Sequence, residues 1–291
     1  MEKKTPNRTL FSYDNTEEVQ LAQTIAGTMY RYDNLPKDRI ASMEQLNEEH
    51  VRQFWERGYL VVDRVLNEQE IRTSIDALMD IIYDRSVGSR VQFVKPKSEL
   101  LTDEAKELAA RKVYEYADHE PRLRAIIDHR EILRAMEKLL GEKPKMVQDQ
   151  AILKPPSGGA EKPWHQDMAY GNLAYDKSVI GIWIALDPAE LDNGCMHVIP
   201  YSHRTGATPH YAVRDWQICD VSVQVDRDVA VPLQPGGALL FSGLLHHGTP
   251  PNFSNKRRRS IQIHYAPESA VKLKPQAYKQ MFTNELTHAE C

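Results

Sequence analysis

Residues 1–42 mix polar and apolar positions without a clear period and carry two prolines, so they read as an irregular lead-in with one short helix around Glu17–Arg31. From Asn47 the pattern sharpens. Val51, Phe54 and Trp55 recur at helical spacing after a residue suited to an N-cap, and Gly58 is placed to stop that helix. The apolar run GYLVVDRVL predicts a strand. Asn67 then precedes Glu70 by three residues, the spacing of a capping box. Ile71, Ile75, Leu78, Ile81 and Ile82 continue at a period near 3.6, which predicts a helix over 68–85. Residues 102–141 read as further helix, ending on the stripe Ile132, Leu133, Met136, Leu139 and Leu140 before Gly141. Beyond that point the apolar runs shorten to strand length. Strands are expected at 145–154, 178–187, 195–199, 229–233, 237–242 and 258–266.

A helical half followed by short strands predicts an α+β protein with a mainly β core, a barrel or sandwich braced by helices on one sheet. The expected division is a lead-in over 1–42 and a single domain over 43–291. Within that domain, helical support spans about 43–141, the β core about 145–270 and a C-terminal tail 271–291. Composition leaves this picture intact. Hydrophobic residues make up 41% of the chain, enough for a sizeable core, and no apolar run is long enough to cross a bilayer. A formal charge of −4 argues against a nucleic-acid partner. The N-terminus has early acids and no apolar stretch of the signal-peptide kind, so a cytoplasmic location is expected. Cys195, Cys219 and Cys291 are odd in number and lack paired spacing, so neither a disulfide framework nor a zinc-thiolate site is expected.

Candidate chemistry begins at PWHQDMAY. His165 and Asp167 are two residues apart, so in extended backbone their side chains leave the same face. The bland alternative is a structural pair, the carboxylate accepting from the imidazole. A metal site needs a third ligand, and FSGLLHHGTPPN offers one at the end of a strand, either His246 or His247, since adjacent residues face opposite ways. Two histidines and one carboxylate leave three positions open on iron(II) for a chelating keto acid and O2. A keto acid with a second carboxylate also requires a buried cation, for which arginine's fork is suited. In RRRSIQIHY, Ile261, Ile263 and Tyr265 share one face, while Arg258, Ser260, Gln262 and His264 share the other, so Arg258 is the arginine expected to point inward.

These segments, together with GIWIALDPAELDNGCMHVIPYSH and LLHHGTPPNFSNKRRRSIQIHY, resemble the phytanoyl-CoA dioxygenase family over roughly residues 45–270. The resemblance implies a double-stranded β-helix, a jelly-roll or cupin-like barrel, and an oxidoreductase that uses Fe(II), 2-oxoglutarate and O2. It implies that His165, Asp167 and His247 ligate the iron, because the family's distal ligand stands in an HGT-like turn that matches His247. The family's co-substrate arginine lies eleven residues later, which again selects Arg258. Further positions carried over for the co-substrate are Thr249, Trp183, Gln150 and Lys95. Strand parity agrees for Trp183, which shares a face with Gly181 and Ala185. Halogenating relatives replace the carboxylate; here Asp167 is intact, so hydroxylation of an unactivated C–H bond is expected, with 2-oxoglutarate converted to succinate and CO2.

A small-molecule substrate of secondary or lipid metabolism is the expectation, handled by a monomer or homodimer without nucleic acid or membrane. Substrate-wall candidates are Tyr170, Tyr175, Tyr211, Trp216 and His264, with residues 204–220 read as a lid. His264 reads equally well as a satisfied core histidine. His197, His203 and His210 read as residues of surface turns. Alternative readings are a protein- or nucleic-acid-modifying oxygenase with the same ligands, or a non-oxidative cupin-like metal protein, which would have no use for Arg258.

Overall fold

The computed structural model describes residues 16–286, 288, 290 and 291; the first fifteen residues of the expected lead-in lie outside them. Elements run in the order α1 (Thr16–Met29), β1 (Ile40–Ser42), α2 (Glu48–Arg57), β2 (Tyr59–Arg64), α3 (Glu68–Ile82), β3 (Arg90–Phe93), α4 (Asp103–Ala109), β4 (Ala110–Tyr114), α5 (Pro121–Ile127), α6 (Arg130–Leu140) and β5 (Pro144–Lys154). The second half follows with β6 (Lys162–His165), β7 (Ile180–Ala185), β8 (Met196–Val198), β9 (His210–Ala212), β10 (Trp216–Ile218), β11 (Val229–Val231), β12 (Ala238–Ser242), β13 (His247–Thr249), β14 (Arg258–Pro267) and α7 (Pro275–Phe282).

Local chemistry sets the helix ends. The Asn47 side chain accepts from the backbone N–H groups of Glu49 and His50, and Gly58 ends α2 at φ 90°, a conformation glycine reaches without strain. Asn67 and Glu70 form a reciprocal capping box on α3. The expected all-helical middle is corrected: β4 interrupts it. Its sequence ARKVY alternates, and it pairs with β3 on one side and β5 on the other. A five-residue alternation between two helices is easily absorbed into a helical reading. The expected tail likewise contains α7.

Two sheets face each other. The larger has the order β1-β2-β12-β7-β14-β5-β4-β3, and the smaller β11-β8-β13-β6. Neighbouring strands in both sheets are antiparallel except β1 and β2. Each sheet is hydrogen-bonded within itself, so the core is closed by side chains between the faces and not by one continuous ladder. Helices cover the outer face of the large sheet, where Leu78, Ile82, Leu123, Ile127, Ile132 and Met136 pack on Ile182, Ile184, Ile261, Ile263 and Tyr265. Its inner face sends Trp183, Ala185, Leu239 and Phe241 against Met196, Val198 and Val229–Val231 of the small sheet. The alternation in β7 and β14 therefore sorts apolar residues to the helices and the remaining side chains to the space between sheets.

Three expectations about single residues are corrected. His197 and His210 are fully buried, because α1 and the chain after it cover the outer face of the small sheet and β9 folds inward, whereas His203 is half-buried in the turn after β8, its Nε2 2.9 Å from the Trp55 carbonyl. His197 Nδ1 lies 2.8 Å from Asp228 Oδ2, flanked by the rings of Tyr30 and Tyr32. Cys219 and Cys291 are joined in a disulfide, while Cys195 is free and buried. Cysteine parity says nothing about which distant pair a returning chain end brings together. No helix among the described residues is long and apolar enough to cross a membrane.

Candidate metal centre

His165 ends β6 and His247 opens β13, and the two are direct cross-strand partners in the small sheet. Asp167 follows His165 by two residues, where the chain turns out of the strand. Asp167 Oδ1 lies 3.3 Å from His165 Nε2 and 3.5 Å from His247 Nε2. All three ligand atoms fall within 4.8 Å of one another and all three residues are buried. His246 turns away, its Nε2 3.2 Å from Thr208 Oγ1.

The imidazole orientations are fixed from behind. His165 Nδ1 is 2.7 Å from the Pro163 carbonyl, and His247 Nδ1 is 2.9 Å from the Leu245 carbonyl. A carbonyl only accepts, so each Nδ1 carries the proton and each Nε2 turns its lone pair to the cluster. Burial, and then the neighbouring His247, push the His165 pKa down to about 4, which keeps that lone pair free near neutrality. Burial works to raise Asp167, yet the imidazoles of His247 and His264 hold it well below the usual carboxylate range. The set is two imidazole nitrogens and one carboxylate oxygen, a donor set suited to a divalent transition metal.

Gln166, between the two ligands, is also fully buried. Its backbone N–H donates to His210 Nε2 at 2.9 Å, and its side-chain amide donates to the carbonyls of Gly206 and Leu244 at 2.8 and 2.7 Å. Its Oε1 accepts from the Thr208 N–H at 2.8 Å. The segment carrying the ligands is thus pinned to two separate loops.

Behind the cluster, the inner face of β14 presents Arg258, Ser260, Gln262 and His264, all nearly or fully buried. Of the three consecutive arginines, Arg259 forks onto Asp187 at 2.7 and 2.8 Å and Arg257 pairs with Glu107. Arg258 has no carboxylate partner among the described residues. Its Nη1 donates to Ser260 Oγ at 3.2 Å, while Nε and Nη2 are buried without a partner. Its guanidinium carbon lies 5.2 Å from the centre of the Trp183 ring, and burial lowers its pKa to about 10. A buried cation with two unpartnered nitrogens is costly unless an anion joins it, so this pocket fits the far carboxylate of a dicarboxylic ligand.

Gln150, Gln262 and Trp183 stand in one row across β5, β14 and β7. Thr249 is buried at the end of β13. Lys154, the cross-strand partner of Arg258, donates to the carbonyls of Ala160 and Pro250, which accounts for a second buried cation here. Lys95 does not join this group: it is exposed in the bend after β3. The lysine that faces the centre is Lys112 on β4, whose pKa is lowered to about 8 by burial and then by Lys162, against the pull of Asp215 and Asp167. Its signal in the sequence was the alternation of ARKVYEY, which puts Lys112 and Tyr114 on one face.

Among the wall candidates, Tyr170 stands edge-on to His165, with ring centres 5.8 Å apart, and its hydroxyl meets Lys162. Lys162 in turn pairs with Asp215 at 2.6 Å. Trp216 donates from its indole N–H to the Ala169 carbonyl at 2.8 Å, placing it beside the ligand turn. Tyr211 is half-buried on β9 opposite Gln217. Tyr175 is instead part of a satellite core with Leu173, Val179, Ala270 and Phe282. His264, expected against substrate or as a core histidine, touches Asp167 itself.

Comparison with known proteins agrees with this architecture. The family model of phytanoyl-CoA dioxygenase (PhyH) matches residues 54–260, more than half of the chain. The phytanoyl-CoA dioxygenase domain-containing protein 1 of Danio rerio is 24% identical over 285 residues, covering 84% of this chain and 98% of that protein. The peroxisomal phytanoyl-CoA dioxygenase of Bos taurus is 26% identical over 249 residues, covering 79% and 70%. Among solved structures, EvdO2 from Micromonospora carbonacea var. aurantiaca, complexed with 2-oxoglutarate, superposes with a TM-score of 0.61 at 22% identity, covering 80% of this chain and 97% of that one. The non-heme alpha ketoglutarate dependent carbocyclase SnoK from nogalamycin biosynthesis gives 0.61 at 21% identity, covering 81% and 90%. With its matched segment reaching from α2 into β14, through both histidines and the aspartate of the cluster, the chain belongs to the phytanoyl-CoA dioxygenase (PhyH) family.

Proposed function

We propose that this chain is an Fe(II)- and 2-oxoglutarate-dependent oxygenase that oxidises a C–H bond of a small organic molecule. The observation that carries this reading is Arg258: fully buried, without an anionic partner among the described residues, and on the same inner strand face as the residues behind Asp167. His165 Nε2, Asp167 Oδ1 and His247 Nε2 would hold the metal. When bound, iron(II) supplies coordination positions for the keto acid and O2, whose oxidative decarboxylation to succinate and CO2 drives oxidation of the substrate.

Arg258 would receive the far carboxylate of 2-oxoglutarate in its fork, with the Thr249 hydroxyl and Gln150 nearby and the Trp183 ring as a wall. Lys112 on β4 adds a further cation, opposing the charge that an acidic ligand brings. The buried faces of Phe241 and Trp183 exclude water from the co-substrate end. Tyr170 and Trp216 border the ligand turn where a substrate would approach. Retention of Asp167 supports hydroxylation as the outcome. The family's phytanoyl-CoA name and the nogalamycin pathway of a structural neighbour support a substrate of lipid or secondary metabolism.

The test is succinate release from 2-oxoglutarate with Fe(II) and O2, measured with and without metabolite extracts, alongside direct 2-oxoglutarate binding. Uncoupled or coupled succinate formation that disappears in His247→Ala is expected. Absence of both binding and turnover under every condition would sink the reading in favour of a non-oxidative metal protein.

A further inference from the structure

Asp167 has two oxygens, and only one faces the histidines. The other, Oδ2, lies 2.7 Å from His264 Nε2 and 2.9 Å from Gln262 Nε2. Both partners come from β14, which belongs to the opposite sheet from His165 and His247. Gln262 is 3% exposed and His264 fully buried, so no solvent competes for these contacts.

The hydrogen positions follow from the acceptor. A carboxylate offers only lone pairs, so the Gln262 amide turns its nitrogen, not its oxygen, to Oδ2, and His264 carries its proton on Nε2. The 3.3 Å approach of those two nitrogens to each other is then two donors meeting on one oxygen, not a bond between them. His264 Nδ1, buried and without a partner, agrees with an imidazole whose single N–H is spent on Asp167.

We infer that Gln262 and His264 act together as a clamp that limits Asp167 to one coordinating oxygen. The inference rests on the reading of His165, Asp167 and His247 as metal ligands. A carboxylate with both oxygens free can close on a metal through two atoms and occupy an additional position. Two N–H donors fill the lone-pair capacity of Oδ2, leaving Oδ1 alone to turn to the centre. One oxygen and two nitrogens then leave three sites of an octahedral ion open, the number that a two-atom keto-acid chelate and O2 require. Gln262 and His264 are positioning residues: they act on the metal through Asp167 and need touch neither metal nor substrate.

The experiment uses Co(II), which reports both affinity, by calorimetry, and coordination, by its visible d–d absorption, without turnover. His264→Phe keeps a ring of similar size and removes the donor. Gln262→Leu removes the amide. His264→Gln restores an N–H close to the position of Nε2. Loss of an outer-shell partner costs roughly 10–100-fold in metal affinity, so His264→Phe and Gln262→Leu are each expected to weaken Co(II) binding within that range and to change the absorption band. His264→Gln is expected to return both toward wild type. If His264→Phe does not fold, Gln262→Leu, which leaves the imidazole in place, carries the test alone. Folded variants that bind Co(II) within about twofold of wild type, with an unchanged band, overturn the clamp while the metal reading stands. So does a loss of affinity that His264→Gln leaves unrestored. A wild type that takes up no Co(II) overturns the metal reading and the clamp with it.

Discussion

Replacing Arg258 by methionine keeps a long unbranched side chain against Trp183 but removes the guanidinium, and the structure sets the sign of two separate effects. The first is on the ligand-free fold. Burial lowers the Arg258 pKa from its ordinary value to about 10. A base with a depressed pKa destabilises the folded state at every pH below that folded value, and the penalty is relieved only as pH rises from about 10 towards the ordinary arginine value. At about 1.4 kcal/mol per unit this amounts to roughly 3 kcal/mol near neutrality. Methionine forfeits the Ser260 hydrogen bond and the cation–π contact, each worth about 1 kcal/mol. The net expectation is a gain of about 1 kcal/mol, or about 2 °C in melting temperature for a chain of this size. The second effect is on 2-oxoglutarate, which loses its cationic partner at a cost of about 2–5 kcal/mol, roughly 30- to 5000-fold in affinity. Saturating co-substrate at about 100 times its wild-type Kd adds about 2.7 kcal/mol to the wild type and at most about 0.9 kcal/mol to the variant. The melting curves should therefore exchange order: Arg258→Met above wild type without 2-oxoglutarate, below it with. Calorimetric scans of both proteins in both conditions decide it. A variant that melts below wild type in the absence of co-substrate, and gains the same stabilisation on adding it, refutes the argument.

Three further outcomes follow from the geometry. His247→Ala should weaken Co(II) binding by more than the roughly 100-fold upper range of an outer-shell loss, while His246→Ala, which gives up only its contact with Thr208, should stay within about threefold by calorimetry. His210 is held down to about 3 by burial while it accepts the Gln166 N–H; its folded-state advantage is complete above the ordinary value near 6.5 and shrinks as pH falls toward 3. By pH 4.5 that group alone costs about 2–3 kcal/mol relative to neutrality, so the pH slope of urea stability should flatten in His210→Gln, and an unchanged slope would contradict it. The Cys219–Cys291 bridge spans 72 residues, for which loop-closure entropy sets a stabilisation of about 4 kcal/mol; Cys291→Ser should melt several degrees lower than the oxidised wild type and match the reduced one, whereas no difference would mean that the bridge does not form.

Where a pattern is local, the sequence was readable. Asn47, Gly58, Asn67 and Glu70 announce helix ends through contacts within four residues, and period-two alternation sorted Arg258 from Arg257 and Arg259 and turned Trp183 inward. His165 and Asp167 were readable for the same reason. What escaped depends on pairing between distant segments. β3 and β4 join the large sheet at its far edge, so passing from the expected Lys95 to Lys112 required knowing which strand adds to β5. His197 and His210 look like turn residues until α1 and β9 fold over them. The Cys219–Cys291 bridge and the contact of His264 with Asp167 join residues 72 and 97 positions apart, and no periodicity encodes either.

Gln166 gives the centre a property that its ligands alone would not. Because one residue is bonded at once to His210, Thr208, Gly206 and Leu244 while its two neighbours face the ligand cluster, loop order and ligand placement are halves of one thermodynamic cycle. Whatever immobilises His165 and Asp167 must favour the ordered form of residues 206–210 by the same factor by which that ordered form raises its affinity. Occupancy of the centre should therefore be legible at a distance, in the backbone exchange or proteolysis of residues 206–210, a half-buried segment that supplies no ligand atom.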